Sequence, residues 1–457
     1  MEKYSVAIVG GGAAGLFSAA FAANKFCAQD AACPALNAGS LRHPRIILLE
    51  KENFCGRKIN ITGKGRCNIT NTRMWDEFSP HLHPQSNFLK SAFYAMSTSE
   101  TMDFFESIGL PLVVERGQRV YPKSMRAADV SAALINYISK SNIDIATGCP
   151  VEKIEKKGDL FSIFTHNGTL EAENVIITTG GLSYPSTGST GDGYKFASSF
   201  GHSIVNCFPS LTALVPNNYF QDLKIEGNGS AASDRILSKT GKFLNGMELK
   251  NVSVRLMVNG NMVQEEFGDL NFTDGGIEGP IIFRVSRKGV ESIINGQKVQ
   301  LLVDLKPALS AEQINARIER EIKQLSTVVY GRFQAKGNIN STNSHTIKYL
   351  LNKMLPRQLI QPFMEMNKDL SVKNLSEKLK NLRFEIISFI GYERCVVTAG
   401  GVSLKEISHK SMESKLVKGL YFAGEVIDLD GDTGGYNLQT AFSTGALAMQ
   451  SCLSSRK

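Results

Sequence analysis

YSVAIVGGGAAGLFSAAFAANKF, residues 4–26, decides the fold. Tyr4 to Val9 is a short, apolar, partly β-branched run that reads as a buried strand, and the small apolar residues from Leu16 onward read as a helix. Between them, Gly10, Gly12 and Gly15 have the G-x-G-x-x-G spacing. The first glycine permits the tight turn, the second lets a pyrophosphate approach the backbone, and the third lets helix pack on strand. The phosphates would sit at Ala13 and Ala14, on a helix N-terminus whose unpaired N–H groups and dipole favour negative charge. The same glycines argue against reading Lys3 through Ser5 to Ala23 as a secretion signal, because they would weaken its apolar helix.

Working outward, Arg45 to Leu49 (RIILL) is a second apolar strand ending in Glu50, a carboxylate placed to accept both ribose hydroxyls of an adenosine. The interval from Gly15 exceeds the usual spacing of roughly 20 residues. CAQDAACPALNAGSLRHP (Cys27 to Pro44) accounts for it as a polar insertion bearing Gly and Pro. Far downstream, Asn174 to Thr178 (NVIIT) reads as another buried strand, ending in Thr179-Gly180-Gly181. Gly419 to Phe422 (GLYF) is one more, ending in Ala423-Gly424-Glu425 and leading to Gly434 and Gly435 before a small-residue helix. A second Gly-rich turn aims another helix N-terminus at a ligand, as an FAD enzyme needs where the flavin's N1/C2 edge gathers negative charge on reduction. An NAD-only dehydrogenase has no such need.

Length and composition set the outer bounds. A chain of 457 residues, 42% hydrophobic and 21% charged, excludes a disordered or fibrous protein and suggests two or three domains. Lys and Arg number 51 against 43 Asp and Glu, a mild excess that reads as dispersed, with no block resembling a nucleic-acid tail. The eight cysteines form no C-x-x-C pair and have no His beside them in zinc-ligand spacing, so free thiols, a cytoplasmic setting and no metal are expected. No membrane span is expected either.

Several segments carry a family resemblance: VAIVGGGAAGL at the start, GRKINITGKGRCNITN (Gly56 to Asn71), GQRVYP (Gly117 to Pro122), TTGGLSYPSTGSTGDGY (Thr178 to Tyr194), GDLNFTDGGIEGP (Gly268 to Pro280), VTAGGV (Val397 to Val402) and GLYFAGEVIDLDGDTGGYNLQTAFSTG (Gly419 to Gly445). In these the chain resembles the BaiN-like, or aminoacetone-oxidase-like, NAD(P)/FAD-dependent oxidoreductases. GRCN-x-TN and GE-V-x-D-x-DG-x-x-GGYNLQ are the most specific elements. The chain departs from the family pattern at Thr62-Gly63-Lys64-Gly65, in place of an SGGG-like run, and at Asp274 and Glu278, where His and Ser are usual. No histidine role near the substrate is therefore carried over.

The middle of the chain reads as an insertion. LTALV, LKNVSVRLMV, MVQEEFG and VQLLVDL alternate as short strands, with turns at Asn245-Gly246, Asn259-Gly260 and Asn295-Gly296. From Pro307 the pattern turns helical, with a capping box at Ser310 to Gln313 and further helices in IKYLLNKML and SEKLKNLRFEII. Phe88 to Gly109 also reads helical, with a cap at Ser97 to Glu100. The expected architecture is α/β: a discontinuous Rossmann-like FAD-binding domain (1–206 and 393–457), a β-rich insert (207–306 and 384–392) and a nested helical cap (307–383). The resemblance implies the same plan, with a β-barrel-like insert.

The residues expected to line FAD are Gly10, Gly12, Ala13, Ala14, Gly15, Glu50, Lys51, Arg57, Lys58, Thr62, Gly63, Arg66, Cys67, Asn68, Val151, Thr179, Gly180, Gly181, Gly424, Glu425, Gly434, Gly435, Tyr436, Asn437 and Leu438. Tyr436 and Asn437 could hydrogen-bond substrate or flavin edge, and Arg116 and Arg119 with Tyr121 could meet an anionic substrate. A flavin carries the hard chemistry, so the protein needs to position a substrate at N5 and stabilise charge at N1. The cysteine spacing excludes a disulfide reductase, and no second dinucleotide turn serves a separate NAD(P)H domain. Cys67, beside Arg66, is read as a buried inert thiol in preference to a nucleophile. The expected function is an FAD-dependent oxidoreductase acting on a small organic substrate, with NAD(P)H as a transient reductant and no nucleic-acid partner. The alternatives are a flavin-dependent RNA-modifying or RNA-binding protein, which clustered basic residues would favour, and a flavin-binding protein without turnover.

Overall fold

The computed structural model describes residues 2–32, 44–332 and 344–454. The chain divides into two compact units, Met1–Pro209 with Tyr392–Lys457, and Ser210–Gly391.

The first unit is built on a seven-stranded sheet. Its parallel part runs Ile143–Ala146, Ile46–Leu49, Lys3–Val9, Gly168–Ile177, with Val6 opposite both Ile46 and Asn174. Gly168–Ile177 is long enough for two partners in succession. Its first half pairs antiparallel with Leu160–Thr165, and Val175 to Ile177 pairs parallel with Leu420–Phe422. These strands are apolar almost throughout because a parallel sheet is covered on both faces, and Val6 to Val9 and Ile46 to Leu49 are all buried. Helix Ala13–Ala32 packs against the C-terminal helix Tyr436–Ser454, and the Ser18 hydroxyl donates to the Gly445 carbonyl at 2.9 Å. The first helix thus reaches Ala32 and takes in the first six residues of the stretch read as an insertion; 33–43 of that stretch lie outside the described residues. Ser97 caps Thr98–Ser107 as expected, accepting from the Glu100 N–H while the Glu100 carboxylate accepts from the Ser97 N–H at 2.7 Å.

The second unit holds a closed six-stranded barrel. Leu214–Pro216, Gly276–Glu278, Asn261–Thr273, Glu248–Val258, Val299–Asp304 and Leu382–Ile390 follow one another around it, and the last pairs back with the first. Leu256, Phe272, Leu301 and Phe384 are among its buried side chains. Asn259 and Gly260, with φ of 49° and 85°, make a two-residue hairpin turn. The other two Asn-Gly pairs differ from expectation. They follow helices Lys239–Leu244 and Pro280–Ile294, because a Gly with positive φ serves a helix C-terminus as readily as a hairpin. Pro280–Ile294 was not expected as a helix, although Pro280 at its start and buried Ile281, Ile282, Val285 and Val290 carry the helical period.

Four helices, Ala311–Arg332, Ser344–Met354, Arg357–Met366 and Leu375–Lys380, lie between the last two barrel strands in sequence. The Ser310 to Gln313 box opens the first, with the Gln313 amide oxygen accepting from the Ser310 N–H at 2.9 Å. SEKLKNLRFEII is helical only to Lys380. Leu382–Ile390 alternates buried and exposed positions over its first six residues and is a strand, since that period of two supplies the barrel's closing face.

Candidate functional site

The three glycines of the first turn do three different jobs. Gly10 has φ of +109°, and a Cβ there would lie 2.7 Å from the Thr178 carbonyl oxygen, so only glycine lets the turn pass this close to the neighbouring strand. A Cβ on Gly15 would land on the Gly10 carbonyl oxygen. A Cβ on Gly12, by contrast, meets no protein atom within 4 Å. The open side of the turn is therefore at Gly12, where a pyrophosphate would approach the N-terminus of Ala13–Ala32. Backbone hydrogen bonds hold the strand ends around it: the Gly10 N–H donates to Leu49 at 2.8 Å, Thr178 to Val9 at 2.8 Å, and Ala423 to Ile177 at 3.0 Å. Lys3–Val9 lies between Ile46–Leu49 and Gly168–Ile177, the place where the direction of winding reverses and where open α/β sheets bind ligands.

Glu50 stands at the end of its strand. Its carboxylate accepts the Gly11 N–H at 2.7 Å and the Glu52 N–H at 2.8 Å, while burial pushes the carboxyl above its ordinary range. A carboxylate has about four lone-pair sites, so two acceptor positions remain for ribose hydroxyls. Cys149 donates its N–H to the Glu50 carbonyl at 2.9 Å, which brings Val151, the first residue of Val151–Lys157, beside this corner. Other cations of the expected set are engaged with protein. Lys51 bonds Thr190 and Asp192, both at 2.6 Å, and Arg57 pairs with Glu52.

On the other side of the turn, Gly424 approaches Ala14, where its Cβ would come within 2.8 Å of the alanine methyl. The Glu425 carboxylate is bonded by Lys58 at 2.6 Å, by the Ser183 hydroxyl at 2.5 Å and by the Thr398 N–H at 3.0 Å. Burial works to raise this carboxyl, and those partners outweigh it and hold it low. Sequence reasoning missed Ser183 and Thr398. Gly180 and Gly181 lie against Ser189 and Thr398, and the Thr179 hydroxyl is buried with no hydrogen-bond partner among the described residues. A buried polar atom of this kind suits a bound ligand.

The two most specific sequence elements touch. A Cβ on Gly435 would overlap the Thr70 backbone, the Asn71 amide donates to the Gly434 carbonyl at 3.1 Å, and the Thr70 hydroxyl donates to Gln439 at 2.6 Å. Strand Thr70–Asn71 is thereby fixed to the first turn of Tyr436–Ser454. Asn68 bonds the Thr70 and Val120 carbonyls at 2.7 and 3.0 Å. Thr62 donates to Ile59 at 2.6 Å, and Gly63, Lys64 and Gly65 follow it as an exposed left-handed run. Leu438 is half-buried against the core.

Several of the expected side chains also have partners within the protein. Asn437 bonds Gly431 with both ends of its amide, at 2.7 and 2.8 Å, and so clamps its own loop. Tyr121 is buried beneath the Arg66 guanidinium, 4.8 Å from the ring centre, and Arg66 also faces Glu115 at 3.6 Å. Arg119 bonds the Arg116 carbonyl at 3.3 Å. Burial pushes the Cys67 thiol up to about 12, which makes it a poor nucleophile.

Beside the Gly435 junction lies a constellation that sequence reasoning missed. His81 bonds Asp432 at 2.8 Å through Nδ1 and Arg73 at 2.8 Å through Nε2, and His83 bonds Asp432 at 3.3 Å. Arginine only donates, so Nε2 of His81 accepts and its proton sits on Nδ1. The His81 ring stacks on Tyr436, centroids 4.5 Å apart. Burial works to raise the Asp432 carboxyl, but the two histidines outweigh it and hold it down at about 2. The signal available was H-x-H-P at His81 to Pro84, whose pairing of Leu82–His83 with Asp430–Gly431 is a long-range contact invisible to local pattern.

The model for the HI0933-like protein Rossmann domain matches residues 4–451. The chain belongs to the HI0933-like family. It is 28% identical over 97% of both chains to the 3-dehydro-bile acid delta(4,6)-reductase of Clostridium scindens. It is likewise 28% identical, over the whole of both chains, to the ribosomal RNA dihydrouridine synthase of Escherichia coli, and 29% identical over 97% of both to that of Haemophilus influenzae. The resemblance read from the motifs thus holds along the chain, and this HI0933-like protein is an FAD-dependent oxidoreductase.

The residues present fit FAD. The open face at Gly12, the acceptor sites of Glu50 and the unpartnered Thr179 hydroxyl all lie at the strand ends of this one unit. Of the departures from the usual HI0933-like pattern, Glu278 is half-buried in a barrel strand opposite Asn271, and Asp274 sits in the preceding turn. Among the described residues no cluster of His, Cys, Asp and Glu could hold a metal, and no helix is long and apolar enough to cross a membrane.

Proposed function

We propose that the protein reduces a carbon–carbon double bond conjugated to a carbonyl, in a small organic molecule, with NADH or NADPH as the transient reductant. A delta(4,6)-reductase of a 3-dehydro-bile acid and a synthase of dihydrouridine, as two relatives are named, both add hydrogen across a ring double bond of this kind. The observation that carries the reading is the Arg73–His81–Asp432 chain beside the Gly435 junction, a fixed donor set of the sort that stabilises charge developing on a carbonyl oxygen.

In this reading Gly12 and the first turn of Ala13–Ala32 hold the pyrophosphate, Glu50 holds the ribose, and the N-terminus of Tyr436–Ser454 faces the flavin. When bound, FAD supplies the hydride chemistry. Arg73 presents its guanidinium to the carbonyl oxygen of the substrate. Asp432, ionised, keeps the His81 proton on Nδ1 and so leaves Nε2 to fix Arg73. With both ring nitrogens engaged, His81 positions Arg73, and the proton delivered to the carbon next to the carbonyl comes from water.

A second reading, in which the conjugated ring is a uracil within RNA, is favoured by the distribution of charge. The expected dispersal of basic residues does not hold: residues 307–383 contain thirteen Lys and Arg against six Asp and Glu. Both readings are tested by reducing the holoprotein with dithionite without oxygen and mixing it with a 3-oxo-Δ4 steroid or a uridine-rich RNA. Return of the yellow absorbance together with a product heavier by one hydrogen molecule is expected for one of them. Reoxidation only by oxygen, with every conjugated carbonyl left unsaturated, would overturn the proposal.

A further inference from the structure

The chain's formal charge is +8, and the thirteen basic and six acidic residues of 307–383 account for seven of those charges. The remainder of the protein is therefore close to neutral. Within this segment the bias is sharper still, because residues 323–364 contain six Lys and Arg and no Asp or Glu.

The described part of that stretch forms helices Ser344–Met354 and Arg357–Met366. Ile347, Leu350, Leu351 and Met354 of the first helix, and Leu359, Ile360 and Phe363 of the second, are buried. Their apolar stripes are thus consumed by the fold of the second unit. Lys348, Lys353 and Arg357 are exposed, and among the described residues none of them makes an ion pair. Tyr349 is half-buried between the two lysines, with the Lys353 ammonium 5.4 Å above its ring. Glu365, the first carboxylate to follow, is already taken by Lys239 at 3.3 Å and Gln361 at 2.9 Å. Lys378 and Lys380, nearby in sequence, are neutralised by Asp369 and Asp304.

Unpaired cations around a partly exposed aromatic ring, on a helix whose other face is buried, have the chemistry of a surface that tracks a phosphate backbone and offers a base somewhere to stack. A small neutral substrate gives no reason for it. We infer that the exposed face of Ser344–Met354 and the start of Arg357–Met366, centred on Lys348, Tyr349, Lys353 and Arg357, docks RNA. The inference rests on the RNA reading of the proposed function and adds where the RNA is held.

The test uses the FAD-loaded full-length protein and a fluorescently labelled, uridine-rich RNA hairpin, with binding followed by anisotropy as salt is varied. Each phosphate contact contributes about 0.7 to 0.9 to the slope of log affinity against log salt. The combined variant Lys348→Glu, Lys353→Glu and Arg357→Glu should lower that slope by about two to three and weaken binding about 30- to 100-fold near physiological salt, with FAD content unchanged. The same number of reversals at exposed Lys3, Lys140 and Lys157 of the other unit should change the slope by less than about one. Should the combined variant fold poorly, the single Lys→Gln and Arg→Gln variants should each lower the slope by about one. RNA binding by the wild type that survives all three reversals would overturn the docking face and leave the RNA reading standing. Failure of the wild type to bind the hairpin at low salt would overturn both.

Discussion

Gly12→Ala separates the cofactor's needs from those of the fold. The added methyl would meet no protein atom within 4 Å, and the φ of Gly12 lies outside the left-handed region, so alanine costs the protein no contact and no strain. Replacing a glycine at a compatible backbone adds about 0.4–1 kcal/mol of stability by restricting the unfolded chain. The apoprotein should therefore melt at the same temperature or slightly higher. FAD faces the opposite sign. The methyl occupies the space through which the pyrophosphate approaches the backbone, and losing one charge-assisted hydrogen bond there costs about 1.5–3 kcal/mol, or roughly one to two decades in Kd. Gly15→Ala behaves differently, because its methyl would land on the Gly10 carbonyl oxygen, an overpacking that costs about 1–3 kcal/mol of fold stability. The assay pairs thermal unfolding of apoprotein with titration of FAD by quenching of flavin fluorescence. A Gly12→Ala protein that binds FAD as tightly as wild type would refute the assignment of this face to the pyrophosphate.

Glu50→Ala should weaken FAD by a similar one to two decades without unfolding the protein, measured by the same titration. Asp432→Asn should remove about 2 kcal/mol of stability at neutral pH, from a carboxyl lowered from 3.8 to about 2. Because the folded-state value is the depressed one, that contribution is present above about 3.8 and lost as the pH falls toward 2, so the denaturation midpoints of wild type and variant should converge in acid. His81→Gln, by loosening Arg73, should slow reoxidation of the reduced flavin by substrate by roughly one to two decades, the cost of about 1.5–3 kcal/mol for a charge-assisted hydrogen bond, with reduction by NAD(P)H unchanged in stopped flow. Iodoacetamide should label exposed Cys27 well before Cys67, whose thiol is buried and pushed up to about 12, as peptide mass spectrometry would read.

Local pattern carried the first turn, the acidic strand end and the closing GGYNLQ turn, because each is a short run whose chemistry is set by its own residues. Gly10 and Gly15 make the close approaches their spacing implies, and the space beside Gly12 is open. The Ser97 and Ser310 caps were legible for the same reason. What escaped was decided at long range. Helix Pro280–Ile294 is rich in β-branched residues and lies within the stretch read as β-rich, and its buried positions recur with helical period. Leu382–Ile390 is drawn into the barrel by pairing with Val299–Asp304, and its period of two is confined to its first residues, directly after the preceding helix. The Arg73–His81–Asp432 chain joins residues more than 300 positions apart. The clamp of Asn437 on the Gly431 backbone follows from a loop conformation that composition does not reveal.

The most direct test is to denature the purified yellow protein, identify the released cofactor by mass spectrometry, and repeat the measurement on a chain lacking Gly419 to Lys457. The account holds that strand ends from both termini of the chain form one site. It requires about one FAD per intact chain and none from the truncated one. FMN, a colourless protein that FAD cannot reconstitute, or a soluble truncated chain that still retains FAD would contradict it.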